Sequence, residues 1–330
     1  MRIGLDAMGG DKAPGCTVKG AVMAVEQFGY DVVLIGDESA LRRELNRYSY
    51  PKNKISIVNT SQVIEMHDPA ALSVRKKRDS SIVKGADMLK KREIDAFVSA
   101  GNTGAVVCAA TLSLRLLPGV DRPGIGVIIP TLGKLCLVID VGANIDPKPL
   151  HLFQYGIMGD AYSKHILGKE NPTIALLNIG EESTKGTECV REAHMMLAES
   201  ELNFIGNVEP KEIYNGNTDV VVCDGFVGNV FLKVTEGFAE GAGRLIRMEL
   251  KKSGILAKLG ALLMLPAFNK LKKKIDAAEY GGTPLLGVDG SVIIAHGASN
   301  DKAIKNAIRA AGEHIRNKIN AHVVEELQSF

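Results

Sequence analysis

The chain has no tryptophan and only 7 tyrosines and 9 phenylalanines in 330 residues, so it offers few of the aromatic platforms on which single-stranded nucleic acid stacks. Its charge points the same way. Forty Lys and Arg against 38 Asp and Glu leave a formal net charge of +2, without the basic excess that a nucleic-acid binder carries, and no nucleic-acid partner is expected. Long apolar runs are also missing. The uncharged apolar stretch from Leu259 to Asn269 is about half the roughly 20 residues of a spanning helix, which argues against a chain that crosses a membrane. The 5 cysteines, Cys16, Cys108, Cys136, Cys189 and Cys223, are odd in number and scattered through mostly apolar sequence, as reduced thiols are and a disulfide framework is not. Neither Cys-x-x-Cys nor His-Glu-x-x-His occurs and the 7 histidines are not clustered, so no metal site is expected, although magnesium could arrive with a substrate. Met1-Arg-Ile-Gly-Leu-Asp leads straight into a strand, so no secretory leader is expected and the cytoplasm is the default compartment.

What the chain does have is a recurring unit, in which a short apolar run breaks off into a loop of Gly, Asp, Asn and Ser. Ile3–Leu5 leads into Asp6-Ala-Met-Gly-Gly-Asp11, Ala96–Val98 into Ser99-Ala-Gly-Asn-Thr-Gly104, and Leu135–Ile139 into Asp140-Val-Gly-Ala-Asn144. Thr173–Leu177 precedes Asn178-Ile-Gly-Glu-Glu-Ser-Thr-Lys-Gly186, Val220–Cys223 precedes Asp224-Gly-Phe-Val-Gly-Asn229, and Val292–Ala295 precedes His296-Gly-Ala-Ser-Asn300. Continuous β-branched runs suit strands buried on both faces of a largely parallel sheet, and ligands bind at the carboxyl ends of such strands. The intervening segments read as helices, among them Val18–Phe28, Ser80–Lys91 and Gly104–Leu116, the last opening with a bare N-terminus toward its loop.

Nucleotide signatures are approached and missed. Gly10-Asp-Lys-Ala-Pro-Gly15 has the glycine spacing of a phosphate-binding loop, but Cys16 stands where the lysine belongs. No Gly-x-Gly-x-x-Gly follows the first strand and no Gly-x-Ser-x-Gly elbow occurs. What remains suits a small oxyanion. Lys185, beside Glu181 and Glu182, reads either as a point charge for a phosphate oxygen or as a surface lysine paired to those glutamates. His296 reads as a proton carrier or a structural histidine. Asn102, Asn144 and Asn229 end strands beside glycine, where turn geometry is the alternative reading, and for Asp6, Asp11 and Asp224 it is helix capping.

Two segments stand apart. Val63–Lys77 is polar, is followed by Arg78 in the cluster Arg75-Lys-Lys-Arg78, and reads as a mobile excursion. From Leu250 to Ile275 there are 7 lysines and no acidic residue; Ile255, Leu259, Leu262 and Leu263, then Phe268, Leu271 and Ile275, fall on helical faces, and Pro266 is expected to split the stretch into two helices. A greasy face with basic flanks fits a membrane interface, and equally a helix pair packed on its own core or on a second subunit.

Taken in order, Asp-Ala-Met-Gly-Gly-Asp, Ser-Ala-Gly-Asn-Thr-Gly, Asp-Val-Gly-Ala-Asn, Asn-Ile-Gly-Glu-Glu with Lys-Gly, Cys-Asp-Gly-Phe-Val-Gly-Asn, and the late Tyr-Gly-Gly-Thr-Pro with His-Gly resemble the bacterial phosphate acyltransferases over essentially the whole chain. The resemblance implies a three-layer α/β/α fold with one mixed sheet shared by two intertwined subdomains, similar to isocitrate and isopropylmalate dehydrogenases and to phosphotransacetylase. It implies a single catalytic unit over 1–330, with the basic amphipathic hairpin inserted at 249–276. It implies fatty acyl transfer from acyl carrier protein to inorganic phosphate for phospholipid synthesis, by direct attack on the thioester and without a cofactor. Further implied are a homodimer, a peripheral membrane contact, and a downstream membrane glycerol-3-phosphate acyltransferase as partner. On this reading Lys185, His296 and Asn229 are catalytic, while Asp6, Gly9, Gly10, Asn102, Thr103, Gly104, Asn144 and Asp224 hold phosphate or substrate. Leu256, Leu259, Leu262, Leu263 and Phe268 line the membrane or acyl path. A nicotinamide-dependent oxidoreductase and a non-catalytic membrane scaffold are the competing classes.

Overall fold

The computed structural model describes residues 1–275 and 279–329. Eleven strands form one sheet: β1 (Arg2–Asp6), β2 (Asp31–Gly36), β3 (Ile55–Asn59), β4 (Ala96–Ser99), β5 (Gly124–Pro130), β6 (Leu135–Ile139), β7 (Ile174–Leu177), β8 (Phe204–Val208), β9 (Val220–Val222), β10 (Thr283–Leu286) and β11 (Ser291–Ile294). The main helices are α1 (Gly15–Phe28), α2 (Glu38–Leu45), α3 (Ala70–Lys76), α4 (Ser81–Lys90), α5 (Thr103–Leu114), α6 (Pro149–His165), α7 (Glu188–Ala198), α8 (Gly225–Lys252), α9 (Ile255–Ile275), α10 (Asp301–Arg316) and α11 (Ile319–Gln328).

The strand order is β3-β2-β1-β4-β11-β10-β5-β6-β9-β7-β8. The first five of these strands run parallel, β10 and β5 each reverse direction, and β6, β9, β7 and β8 are parallel again but opposed to the first five. Adjacent strands rotate by roughly 20–25°, so the six steps from β4 to β7 accumulate roughly 120–150° and turn the nominally opposed carboxyl ends toward a common side. The chain builds the first half through β4 and the second through β9, returns to the first with β10, β11 and α10, and crosses back to dock α11 on α6.

Period-two alternation explains why the strands are apolar throughout. On β1 and β2, Ile3, Leu5, Val32 and Leu34 pack beneath α1 and α10, while Val33 and Ile35 face α4 and α5 with Phe97. On β6, Leu137 and Ile139 pack under α6, α7 and α11, while Cys136 and Val138 join the cluster that holds Phe97. One face of the sheet thus carries a single core spanning both halves, and the other carries two.

Two expectations are corrected here. The segment 63–78 is ordered: it contains α3, and Lys77 donates to the Val63 carbonyl at 2.7 Å and pairs with Asp68 at 2.6 Å. Nor does Pro266 divide the basic stretch, because α9 runs through it as one helix and the break falls instead at Ser253-Gly254, between α8 and α9. Proline removes one backbone donor at a solvent-exposed position flanked by strong helix formers, whereas Ser253 adopts an extended backbone and the next residue is the poor helix former glycine. The two helices of this region are therefore α8 and α9, and the first starts well before residue 249; Asp276, the expected last residue, and the side chains of Leu271 and Ile275 lie outside the described residues.

Where α11 meets α6, Glu326 sits against Asp160 with Lys164 between them, and burial, followed by the Asp160 charge, raises the Glu326 carboxyl to about 7. Between the ordinary glutamate value of 4.5 and about 7 the folded chain holds more protons than the unfolded one, so this group makes stability fall as pH rises through that window. Glu326→Gln is expected to raise the melting temperature relative to wild type at pH 8 and to give little advantage near pH 4; an equal difference at both values would contradict the assignment.

Candidate functional site

At the carboxyl ends of β1, β4 and β11 the backbone is drawn tight around one buried carboxylate. Asp6 accepts from Ser99 Oγ at 2.7 Å and from the Met8 amide at 3.1 Å. Burial raises its carboxyl above the ordinary range, opposed by hydrogen bonds from Ser81, Ser99 and the Met8 and Gly9 amides. Gly9 is required here, since a Cβ would stand 2.4 Å from Asp6 Oδ2 and 2.6 Å from the Gly101 nitrogen. The Asp11 amide donates to the Gly297 carbonyl at 2.8 Å, tying the first loop to the His296–Asn300 loop. Asn102 caps α5 by accepting from the Ala105 amide at 3.0 Å, and its Nδ2 donates to the carbonyls of Met66 and Asp68, each at 3.0 Å, and of Glu65 at 3.3 Å. The N-terminus of α5 is thus not bare, and the Asn102 side chain is fully used in fastening segment 63–78 beside the loops. Thr103 and Gly104 remain exposed on the first turn, where backbone N–H groups have no intrahelical partner.

The second half repeats the device with Asp140, which is fully buried and accepts from the amides of Ile125, Gly142, Ala143 and Asn144 at 2.7–3.0 Å. Asn144 donates to the Pro123 carbonyl and Tyr155 Oη, and its own carbonyl accepts from the Gly225 amide at 2.8 Å. Asp224 is the N-cap of α8, accepting from Phe226 and Val227. Both side chains are therefore structural in their contacts. At the end of β7, Asn178 donates to the Lys185 carbonyl at 3.0 Å, and Gly186, at φ +89°, packs so closely on Asn178 that a Cβ would lie 2.8 Å from it. Lys185 is exposed, and among the described residues its ammonium makes no ion pair: Glu181 is drawn to Glu212 instead, whose charge raises its carboxyl. The Glu182 carboxylate and the Lys185 side chain both lie beside Gly180, without an ion pair between them among the described residues.

The first turns of α8 join the two groups of loops. Asn229 lies beside Gly142, and Lys233, one turn further along the same face, brings its ammonium 3.5 Å from His296 Nε2. Two of the three residues expected to be catalytic, Asn229 and His296, are thereby linked through Lys233, a residue the sequence reading passed over. Lys185 is not in contact with them. Among the described residues no cluster of three or more His, Cys, Asp or Glu side chains could hold a metal ion.

Residues 1–322 match the family model described as fatty acid synthesis protein. The chain is 48% identical over 329 residues to the phosphate acyltransferase of Geobacter sulfurreducens, covering 100% of this chain and 95% of that one. The chain belongs to the phosphate acyltransferase family. A second member, from Dictyoglomus turgidum, is 48% identical over 332 residues and covers 100% of this chain and 98% of its own. Among solved structures, a phosphotransacetylase from Streptococcus pyogenes superposes with a TM-score of 0.65 at 18% identity, covering 96% of this chain and 94% of that one. A 4-hydroxythreonine-4-phosphate dehydrogenase from Klebsiella pneumoniae gives 0.55 at 15%, covering 96% and 99%. These two share the fold, a mixed sheet between helical layers with two intertwined halves, which is the architecture expected for a phosphate acyltransferase.

No helix among the described residues is long and apolar enough to cross a membrane. Yet Leu256, Leu259, Leu262, Leu263 and Phe268 are 37–86% exposed, so no other described residue buries them fully. On α8, Phe226, Val230, Val234 and Phe238 recur every fourth residue and are exposed as well, extending the apolar strip back to the loops. The exposed apolar strip is thus longer than α9 alone.

Proposed function

We propose that the chain transfers a fatty acyl group from acyl-acyl carrier protein to inorganic phosphate, releasing acyl-phosphate and the carrier thiol. The observation that carries this reading is Lys185, whose backbone carbonyl is fixed by Asn178 at the end of β7 while its exposed ammonium has no ion pair among the described residues, in a fold whose other strand ends carry glycine-rich loops. Such groups suit a small, multiply charged anion rather than a nucleotide. A phosphate oxygen forms a bond to the thioester carbon, the carbonyl oxygen gains negative charge, and the C–S bond then breaks. The sulfur leaves as a thiolate and takes up a proton, with Asn229 and His296 assigned to serve the oxyanion or that proton. The exposed Gly10 loop and the first turn of α5 at Thr103–Gly104 supply further amides.

Direct attack needs no enzyme nucleophile, and three of the five thiols support that economy. Burial pushes the Cys136 thiol up to about 12, the Cys223 thiol well above its usual range, and the Cys189 thiol upward too, each away from the reactive thiolate form. Incubating the protein with acyl-acyl carrier protein and phosphate, trapping acyl-phosphate as the hydroxamate and titrating free carrier thiol, tests the reading. Equal amounts of the two products are expected, and thiol release without acyl-phosphate would refute it.

The exposed apolar faces of α8 and α9, with the lysines around them, support a peripheral membrane contact and a homodimer. Each lysine near an anionic surface contributes on the order of 1 kcal/mol, and apolar burial adds roughly 25 cal/mol for every Å² withdrawn from water. Leu259→Glu with Leu263→Glu is expected to release the protein from anionic vesicles, whereas salt should weaken binding only in part because the apolar contribution is not screened. Unchanged vesicle binding with a raised KM for the carrier protein would reassign the hairpin to recognition of that acidic partner.

A further inference from the structure

We infer that Lys233 and His296 form a two-donor cradle for an oxygen of inorganic phosphate, with Lys233 the substrate-binding cation that α8 of the second half brings to the strand ends of the first. The inference rests on the proposed acyl transfer to phosphate for its choice of anion, but on hydrogen-bond geometry for the cradle itself.

The Ala298 amide lies 3.1 Å from His296 Nδ1 and is directed at it. A backbone N–H can only donate, so Nδ1 presents its lone pair and the ring proton resides on Nε2. Facing that Nε2–H, at 3.5 Å, is the Lys233 ammonium, which has three donors and no lone pair. Two donors therefore meet head-on with no acceptor between them. Such a contact is unfavourable in the empty site and becomes favourable when an anionic oxygen sits between both hydrogens, because each bond is then charge-assisted.

Three further features make the spot a receptor for an oxyanion rather than a surface accident. Both side chains are exposed, Lys233 by 59%, so an anion can enter. Asn229 lies one turn earlier on the same face of α8, beside Gly142, and among the described residues its amide has no hydrogen bond. His296 opens the loop whose Gly297 carbonyl holds the Asp11 amide, so the cradle is attached to the glycine-rich first loop. The carboxylate of Glu236, 3.4 Å from the ammonium and one helical turn away, is the resident counter-ion that an arriving phosphate displaces.

The test is Lys233→Ala, with Lys233→Arg as the variant that keeps the charge and the donors. Phosphate binding is read by calorimetry with inorganic phosphate alone, and the KM for phosphate is read separately from kcat in the acyl-phosphate assay. Lys233→Ala is expected to weaken phosphate binding and raise its KM by about ten- to a hundredfold, the loss typical of one charge-assisted hydrogen bond, while Lys233→Arg recovers most of both. Circular dichroism of the two variants should match wild type, since the side chain is solvated. Unchanged phosphate affinity in Lys233→Ala would overturn the inference while leaving acyl transfer intact. So would a fall in kcat with unaltered phosphate binding, which would put the lysine on the thioester oxygen instead. Should wild type bind phosphate through Lys233 yet form no acyl-phosphate, the cradle would stand and the proposed reaction would fall.

Discussion

Replacing Asp140 by alanine is expected to destabilise the protein by about 4 kcal/mol or more, the largest stability loss anticipated for any single residue of the site. Its two carboxylate oxygens are the acceptors for four backbone amides, those of Ile125, Gly142, Ala143 and Asn144, and the side chain has no exposure to solvent. A buried donor left without a partner costs about 1–3 kcal/mol, and water entering from the half-exposed loop recovers part of that for some of the four. Against a total stability of about 5–15 kcal/mol the loss is a large fraction. Asp140→Asn should be milder, because an oxygen retained at the Oδ1 position still accepts from Ile125, Gly142 and Ala143 while the new NH₂ faces the Ala143 and Asn144 amides. Urea unfolding measures both, and a loss below about 1 kcal/mol in the alanine variant would show that the loop does not depend on this carboxylate.

Lys185→Ala is expected to lower the rate of acyl-phosphate formation by about a hundred- to a thousandfold, the effect of removing one preorganised charge from developing negative charge. The fold should not notice, since the side chain is exposed and its ammonium makes no ion pair that stabilises the native state. The contrast with Lys233 is informative. Lys185 sits in the loop after β7 and is not in contact with His296, whereas Lys233 reaches His296 at the end of β11, so loss of Lys185 should appear chiefly in kcat and loss of Lys233 chiefly in the phosphate KM. Near-wild-type turnover by the alanine variant would remove Lys185 from the site.

Much of the architecture was readable because it is encoded locally. Runs such as Val32–Ile35 and Val220–Val222 have no polar alternation, and each ends at the residue where the loop begins. The capping alternative for Asp224 was legible from its position before an apolar helix, and the structure bears it out. What was not legible depends on distant partners. The order of segment 63–78 comes from Asn102, more than 30 residues away, offering its amide to three carbonyls. Lys233 looks like any solvated lysine on an amphipathic helix until α8 is laid across the strand ends and His296 meets it. Pro266 misled because local chemistry predicts a break there, while the stop signal that prevailed was an extended serine followed by glycine.

The path of the chain between the two halves has one last consequence. Strands β10 and β11 with α10 are inherited by the first half from the far end of the sequence, and α11 is then handed back to the second. Neither half is therefore a contiguous stretch of polypeptide. No single truncation can release one of them whole, and a ribosome must deliver nearly the entire chain before either half has all its parts. Gene fragments exchanged at one crossover could not swap one half for another.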